Sequence, residues 1–522
     1  MTKIPIKKIV FIEPKSPGNH IYTRWNLPRL GTLQLGAILK KAGYEVTIFI
    51  EDIKGIDFEE VFEADAVGIS TITSTAPRAY EMARQIRKAG IPVFMGGPHV
   101  SFLVEEALKS CDYVMRGEAE ETIVPFIKAL ESGEGIESIP GLCWMAGVHP
   151  HMNEMPEHCM DLNRYPFPDF SLIKGKGKFK GDSTITPIMT SRGCPFGCNF
   201  CSVTRMFGRR YRFRSVDSVM EELKSHQLDY VFFYDDNFAA NPAHTKELLR
   251  RMIAEGVTPK WSAQVRIDIA NDPELLSLMR KSGCALVYIG LESINPKTLE
   301  ELNKGQTPDE IESAIAKIQS VGINIHGMFI FGADHDDAST ISQTVKFAKR
   351  TGLATVQFMI LTPLPGTPVF HEMEENNRLI SRDWGYYDAH HVVFRPKNMS
   401  YLQLQTQTIK AMMRFYSLPQ IIKKLNQFDL WAMIVRTYGW RMTRQTRRNM
   451  RGFTKHMKEL YHQAGDGLST ARQDIGLRAR KTTDDLREYF GSINFDRIRQ
   501  LKQEKIAQWR SSSSSADSPQ AS

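Results

Sequence analysis

The sequence Ser191-Arg-Gly-Cys194-Pro-Phe-Gly-Cys198-Asn-Phe-Cys201 follows a strand-like run, Thr186–Thr190, and places three thiols within eight positions. Three thiolates can hold three irons of a four-iron, four-sulfur (4Fe–4S) cluster and leave the fourth iron open to a small molecule. A structural zinc ion is the alternative, but zinc usually has four ligands in spaced pairs. The sequence has no fourth Cys or His in such a pair nearby. We therefore predict a 4Fe–4S cluster on Cys194, Cys198 and Cys201.

Length and composition limit the class of protein. A chain of 522 residues predicts two or three domains, and 42% hydrophobic with 24% charged residues is typical of globular proteins. No apolar run is long enough to span a bilayer, and the segment Met1–Lys8 lacks a signal-peptide core. Seven Cys, three of them clustered, do not form a disulfide framework. We expect a cytoplasmic protein.

Residues 1–132 alternate short apolar strands with amphipathic helices, which predicts a doubly wound parallel sheet. Ligands of such sheets bind at the carboxyl ends of the strands. Short polar turns without a ligand are the alternative reading of these positions. The residues predicted to contact a ligand there are Ser70, Thr71, Gly96, Gly97, His99, Gly117 and Glu118.

Residues 133–183 are rich in Gly, Pro and charge and predict a linker. In residues 184–395, six strands alternate with helices, which predicts a partial (β/α)6 barrel with its site at the carboxyl ends of the strands. One polar turn alone is typical of any loop, but here such turns follow successive strands. The polar candidates in these turns are Asp235, Asp236, Arg266, Glu292 and Ser293.

The C-x3-C-x2-C spacing, with Phe200 directly before the last Cys, resembles the radical S-adenosylmethionine (SAM) superfamily. The resemblance implies that SAM binds the open iron and is cleaved reductively to methionine and a 5′-deoxyadenosyl radical, which removes a hydrogen atom from the substrate. It also implies that Phe200 belongs to the cofactor site. An electron donor such as flavodoxin or ferredoxin is expected as a partner.

Two further stretches, Gly96–His99 and Arg116–Glu120, resemble the cobalamin-binding domain that precedes the radical SAM core in many methylases and cyclases. The resemblance implies that cobalamin binds at the turns of the first domain. The Asp-x-His-x-x-Gly motif that supplies a histidine to cobalt elsewhere is absent, since Asp388-Ala-His390 lacks the following Gly. His20 has no such context either. Any bound cobalt is therefore expected to lack a histidine ligand.

The turns of the barrel also look like those of cobalamin-dependent radical SAM enzymes, and the resemblance covers roughly residues 5–395. SAM carries an amino group, a carboxylate and a ribose. The resemblance, together with this chemistry, implies that Glu292 and Ser293 hold the amino group and ribose and that Arg266 holds the carboxylate. Asp235 and Asp236 are assigned to the same cofactor site.

Two segments of the chain, residues 209–214 and 396–464, are rich in basic residues. Arg209–Arg214 alternates cations and aromatic rings, which is typical of single-stranded nucleic-acid binding or of a half-exposed edge strand; we favour the strand and expect no nucleic-acid partner. Residues 396–464 form a basic, amphipathic helical region. It is expected to cap the barrel with its arginines in solvent or to make peripheral membrane contact. Residues 465–522 predict a charged helix followed by a disordered Ser-rich tail.

The leading hypothesis is a radical SAM enzyme that uses cobalamin to methylate an unactivated carbon of a small-molecule or lipid-like substrate. Oxidative cyclisation, or another radical reaction without methyl transfer, is the alternative within the family. Methylthiolation of transfer RNA needs three more Cys in the first domain, where Cys111 is alone. A non-enzymatic iron–sulfur or RNA-binding protein is the alternative of another class, but it has no use for residues that hold SAM.

Overall fold

The computed structural model describes residues 5–16, 27–175, 185–426, 429–463 and 483–516. The N-terminal sheet contains β1 Lys8–Glu13, β2 Glu45–Ile50, β3 Ala66–Ser70, β4 Val93–Gly96, β5 Tyr113–Met115, β6 Leu142–Ala146 and β7 His149–Met152. Its helices are α1 Leu30–Lys41, α2 Phe58–Phe62, α3 Ala76–Lys88, α4 Pro98–Phe102, α5 Val104–Ala107 and α6 Ile123–Ser132.

The strand order is β2-β1-β3-β4-β5-β6-β7, and the first five strands are parallel. Successive residues of β1 face opposite sides of the sheet. Ile9 and Phe11 belong to one buried apolar cluster, and Val10 and Ile12 to the other. Both faces are therefore covered, as the prediction of a doubly wound sheet requires. The chain places β2 on one side of β1 and β3 on the other, so the strand order switches at β1. In this kind of sheet the ligand-binding crevice lies at such a switch point, here beside the carboxyl ends of β1 and β3.

The prediction of a linker is wrong for residues 142–152. Strand β6 pairs antiparallel with β5, and β7 pairs antiparallel with β6, so the sheet is mixed rather than purely parallel. The buried side chains of Leu142 and Cys143 extend the apolar core. The hairpin also covers the backbone edge of β5, which otherwise would present unpaired amides.

The second sheet confirms the predicted partial barrel. Its six parallel strands lie in the order β15-β14-β13-β12-β11-β8. The strands after the first sheet are β8 Ile185–Ile188, β9 Ser191–Arg192, β10 Arg212–Phe213, β11 Tyr230–Phe233, β12 Lys260–Val265, β13 Cys284–Glu292, β14 Asn324–Phe331 and β15 Thr355–Ile360. The helices are α7 Val203–Phe207, α8 Val216–Ser225, α9 Pro242–Ala254, α10 Pro273–Lys281, α11 Pro296–Glu301, α12 Pro308–Ser320, α13 Ala338–Arg350 and α14 Pro368–Glu375.

The predicted edge strand at Arg209–Arg214 is shorter than expected, and its burial is inverted. Only β10 is extended, paired antiparallel with β9. Arg212 is buried, whereas Phe213 is 40% exposed. The arginine points inward because two carboxylate contacts from Glu118 compensate for its loss of water.

The C-terminal region is helical, as predicted: α15 Tyr401–Phe415, α16 Leu418–Asn426, α17 Leu430–Asn449, α18 Arg451–Gln463, α19 Asp484–Gly491 and α20 Phe495–Ala516. Helices α15 and α17 pack against β15. Arg436 is an exception to the expectation of solvated arginines. It is buried, donates to the carbonyl of Leu353 at 2.9 Å, and lies over the ring of Phe415.

Helix α20 continues to Ala516 and so includes serines that were predicted to be disordered. Extending an existing helix costs little per serine, because the expensive nucleation step has already occurred. Residues 465–482 and 517–522 of this predicted segment, like His20, lie outside the described residues. Across the described ranges, no helix combines the length and apolar character needed to cross a membrane.

Candidate active site

The cysteine loop lies directly after the first barrel strand. A Cβ at Gly193 would lie 2.8 Å from the carbonyl oxygen of Arg210, and its φ of +85° is one that glycine adopts readily. The far side of the loop is fixed by Asn303, whose amide donates to the carbonyl of Gly197 at 2.8 Å. The loop is therefore held in place by the chain itself.

The three cysteines of the loop are unbridged and half-buried. Burial raises the pKa of the Cys194 thiol above its ordinary value and that of Cys201 to about 12. Among the described residues, no group of three or more His, Cys, Asp or Glu is arranged to hold a metal ion. A 4Fe–4S cluster does not need such convergence, since each thiolate binds a different iron.

The paired carboxylates after β11 have different surroundings. Asp235 is buried and accepts hydrogen bonds from the backbone amides and hydroxyls of Thr190 and Ser191. It therefore ties β11 to the residues just before the cysteine loop, and its carboxylate is fully used. Asp236 faces a cavity instead. Burial raises the pKa of Asp236 to about 6, and the amide of Gly193 opposes that rise.

Arg266 lies against the cysteine loop after β12. Its guanidinium carbon is 3.7 Å from the ring centroid of Phe196, and one Nη donates to the carbonyl of Lys304 at 2.9 Å. Its buried Nε has no hydrogen-bond partner, and the nearest carboxylate oxygen, on Asp268, is 3.9 Å away. A buried guanidinium donor without a partner beside the cysteine loop suits an anionic ligand group.

Glu292 ends β13 in a left-handed backbone conformation, with φ of 59°. A non-glycine residue pays a steric cost there, and such strain concentrates at functional sites. Its buried carboxylate pairs with Lys304 Nζ at 2.7 Å. The neighbouring Ser293 is also buried, and its hydroxyl accepts from the amide of Asn295 at 3.0 Å. Both side chains thus already have partners within the protein.

A cavity of about 340 Å³ lies between the two sheets. Its first wall consists of the carboxyl-end turns of the N-terminal sheet and the start of α1. Its second wall consists of barrel residues. The predicted residues that line it are Ser70, Gly96, Gly97, Gly117, Glu118 and Asp236. The three cysteines, Phe200, Asp235, Arg266, Glu292 and Ser293 are not part of its lining.

Thr71 and His99, which the sequence also predicts to contact a ligand, do not line the cavity. Thr71 is buried, and its backbone closely approaches Gly97, where a Cβ would be 2.3 Å from the Thr71 carbonyl oxygen. The His99 ring is buried between the rings of Tyr80 and Trp384, with Nε2 3.5 Å from Glu106. Its side chain therefore points into a packed cluster because α4 begins directly after the turn.

Glu118 contacts the barrel as well as the cavity. Its carboxylate oxygens lie 2.7 and 2.8 Å from the two Nη atoms of Arg212 and 3.2 Å from Arg192. Arg192 also pairs with Glu120 at 2.5 Å. These four side chains, three of them buried and that of Glu118 10% exposed, carry two positive and two negative charges and join the first domain to β9 and β10.

Sequence reasoning missed several cavity residues. Arg29 donates to the carbonyl of Ser70 at 3.1 Å, and Thr32 donates to the buried carboxylate of Glu13 at the end of β1. Arg29 and Thr32 both follow the carboxyl end of β1, and this position in the sequence could have indicated them as cavity residues. Met206, Phe207 and Tyr234 supply the apolar and aromatic wall from the barrel side. Their apolar character alone does not separate them from ordinary core residues.

The side chains at the cysteine loop and around the cavity fit the three groups that the sequence resemblance implies: a 4Fe–4S cluster, SAM and cobalamin. Three thiols with an unpartnered arginine beside them suit a cluster and the carboxylate of SAM. Gly31 and Gly96 line the cavity, and a Cβ at Gly31 would meet no atom within 4 Å, so this wall leaves room for a flat ring. The walls combine apolar side chains with glycine backbone, as expected for a corrin site.

Two family models match the chain. The radical SAM superfamily model matches residues 188–348, and the B12 binding domain model matches residues 24–127. The first range contains the cysteine loop and most of the barrel. The second contains the turns that form one wall of the cavity.

Curated relatives match over most of the chain. An uncharacterized methyltransferase of Pyrococcus horikoshii is 33% identical over 414 residues, which cover 76% of this chain and 89% of the relative. The bacteriochlorophyllide d C-12(1)-methyltransferase of Chlorobaculum tepidum is 30% identical, with 84% of this chain and 94% of the relative covered. The anaerobic magnesium-protoporphyrin IX monomethyl ester cyclase of Cereibacter sphaeroides is 26% identical, with 98% of this chain and 83% of the relative covered.

Among solved structures, the radical SAM methyltransferase TsrM of Kitasatospora setae, with cobalamin and a [4Fe–4S] cluster bound, has a TM-score of 0.60. The sequence identity is 18%, and the match covers 72% of this chain and 75% of TsrM. At this identity the likeness concerns the fold.

Proposed function

This chain belongs to the cobalamin-binding radical SAM enzymes, and we propose that it methylates an unactivated carbon of a small-molecule or lipid-like substrate. The chain is a radical SAM enzyme whose cofactors are a 4Fe–4S cluster, SAM and cobalamin. When bound, these groups supply an electron, a hydrogen-abstracting radical and a methyl group. The contribution of the protein is to place them around one substrate atom and to exclude water.

The observation that carries the proposal is the cavity shared by the two sheets. Methylation requires the methyl donor and the radical source to reach the same carbon. Ser70 and Gly96 from the first sheet line the same space as Ser191 and Asp236 from the barrel. Cys194 follows two residues after Arg192, which also lines this space. The proposal thus needs no large rearrangement of the two domains.

We assign the cluster to Cys194, Cys198 and Cys201; Phe200, directly before Cys201, packs against the apolar core of the barrel. Arg266 binds the carboxylate of SAM through its free Nε–H. Glu292 and Ser293 bind the amino group and ribose, and the contact of Glu292 with Lys304 holds that carboxylate in a fixed orientation.

Of the two adjacent carboxylates, only Asp236 has room to contact a ligand, since Asp235 is saturated by Thr190 and Ser191. We further propose a cytoplasmic location and a flavodoxin or ferredoxin as the electron donor.

The test is anaerobic reconstitution with iron, sulfide and cobalamin, followed by dithionite, SAM and product analysis. Radical SAM chemistry predicts 5′-deoxyadenosine. Methyl transfer also predicts S-adenosylhomocysteine, because loss of the methyl group from SAM leaves that product. The Cys198→Ala variant serves as the matched control and is expected to form no deoxyadenosine.

The cyclase relative, which covers 98% of this chain, favours a second candidate: oxidative cyclisation or another radical reaction without methyl transfer. The same experiment separates the two. Deoxyadenosine without S-adenosylhomocysteine from the cobalamin-loaded enzyme would support the second candidate and contradict methylation. Absence of both products would contradict each of them.

A further inference from the structure

The hairpin of α16 and α17 has an inner face and an outer face. The inner face of α17 carries Ala432, Arg436, Gly439 and Thr443, which are buried. A Cβ at Gly439 would be 2.4 Å from the ring of Tyr416, so this face is in tight contact with the protein. The hydroxyl of Tyr416 in turn bonds the backbone of Val356, near the amino end of β15. The hairpin is therefore firmly attached by one side.

The outer face is apolar, and no described part of the chain covers it. Leu418, Ile422 and Leu425 of α16 are spaced i, i+4, i+7 and are 50, 55 and 48% exposed. Leu430, Trp431 and Ile434 form one face of α17, opposite its buried residues, and are 58, 44 and 61% exposed. Exposed apolar side chains that occur singly are ordinary, but a cluster of this kind marks an interaction site.

The surroundings of this outer face are cationic. Residues 401–463 contain twelve Lys and Arg but two Asp and Glu. Both acids are already paired, Asp429 with Lys424 and Glu459 with Lys455. Arg441 and Arg444 are exposed farther along α17, and neither forms an ion pair with a described carboxylate. The field around the apolar face thus favours an anionic partner.

We propose that the face formed by Leu418, Ile422, Leu425, Leu430, Trp431 and Ile434 docks on an anionic phospholipid bilayer. Apolar side chains on one helical face enter the headgroup and acyl boundary, while flanking Lys and Arg contact lipid phosphates. A second copy of the chain fits less well, because it would bring two cationic helical regions together. A nucleic acid would leave the aliphatic side chains uncovered.

The probes are vesicles of phosphatidylcholine with about one quarter phosphatidylglycerol, and vesicles of phosphatidylcholine alone, sedimented with the full-length protein. We expect binding to the anionic vesicles that weakens with added salt. The double variant Leu425→Glu/Ile434→Glu should lower the lipid partition coefficient roughly tenfold or more, because charges replace the inserted apolar groups.

Leu501→Glu is the matched control, since Leu501 on α20 is exposed to the same extent as Leu425, 48%. It should bind as the unchanged protein does. The circular dichroism spectrum and unfolding temperature of all variants should match those of the unchanged protein, because the replaced side chains are exposed.

Three results would overturn the proposal. The first is failure of the unchanged protein to bind anionic vesicles. The second is equal loss of binding in the Leu501→Glu control. The third is a dimer in size-exclusion chromatography that Leu425→Glu/Ile434→Glu dissociates while vesicle binding is unaffected. None of these measurements depends on catalytic turnover, so they are independent of the proposed methylation.

Discussion

Replacing Glu118 by Gln tests whether the buried ion cluster joins the two domains. The substitution preserves shape but leaves Arg212, whose side chain is fully buried, without a carboxylate partner, while Arg192 keeps Glu120. Removing one partner of a buried ion pair costs about 3–5 kcal/mol. At about 2–4 °C per kcal/mol for a domain of this size, the unfolding temperature should fall by roughly 6–20 °C.

The matched control for this variant is Glu121→Gln. Glu121 pairs with Arg164 at 3.4 Å, and both side chains are about half exposed, 46 and 58%. An exposed pair contributes less than about 1 kcal/mol. Differential scanning fluorimetry compares the two variants directly. If Glu118→Gln unfolds at the same temperature as Glu121→Gln, the cluster does not hold the domains together and the reasoning is refuted.

The effect of Glu118 should also depend on pH. Burial raises the pKa of this carboxyl, but Arg212 and Arg192 outweigh burial and lower the pKa below its ordinary value of 4.5. A carboxyl with a lowered pKa stabilises the folded state above that ordinary value and loses this contribution as the pH falls through the folded-state pKa. The difference between the unchanged protein and Glu118→Gln should therefore be full at pH 7 and shrink in acid.

Three further outcomes are expected. Cys198→Ala should abolish the visible absorption of the reconstituted cluster while the circular dichroism spectrum is unchanged; retained absorption would contradict the assignment of this ligand. Asp236→Asn should leave the unfolding temperature within a few degrees of that of the unchanged protein. It should reduce deoxyadenosine formation at least roughly tenfold, because a ligand would lose a hydrogen bond to a charged group. Asp235→Asn should mainly destabilise the fold, and the reverse pattern would contradict the distinction drawn between the two carboxylates. Burial lowers the pKa of His326 to about 3, so the folded state binds fewer protons than the unfolded state between about pH 3 and 6.5. The contribution of His326 should therefore lower the free energy of unfolding by about 2 kcal/mol from pH 7 to pH 5. In urea titrations at these two pH values, His326→Gln should lose that part of the pH dependence, and an unchanged dependence would count against a neutral buried imidazole.

The sequence was sufficient to predict the features that have a regular local pattern, namely the barrel strands and the spaced cysteines. Six apolar strands followed by polar turns predicted the barrel strands closely, and the spacing of Cys194, Cys198 and Cys201 predicted the radical SAM family, whose model matches residues 188–348. The β6–β7 hairpin was missed because His149–Met152 is polar and contains a proline, which is tolerated only because β7 is an edge strand. The assignment of 133–183 as a linker therefore failed where pairing with β5, not local pattern, decides the structure.

The sequence could not predict the direction in which the candidate side chains point. Asp235 and Asp236 are adjacent and chemically identical, yet one is saturated by backbone and hydroxyl donors and the other faces the cavity. His99 follows two cavity glycines, but the turn of α4 directs it toward Trp384. Glu118 and Arg212 are separated by 94 positions, so their contact depends on how the domains are joined.

Helices α19 and α20 return from the end of the chain to the first domain. Phe490 packs between Phe58 and Phe62, Asp485 pairs with Arg78, and Lys502 donates to the carbonyl of Ala64. Residues from both ends of the polypeptide therefore build one structural unit, although nearly the whole enzyme lies between them in sequence. A recombinant fragment cut after residue 175, which keeps the β6–β7 hairpin on β5, would expose the aromatic surface of α2 to water and should aggregate or unfold. The same fragment supplemented with a peptide of residues 483–508 should regain solubility.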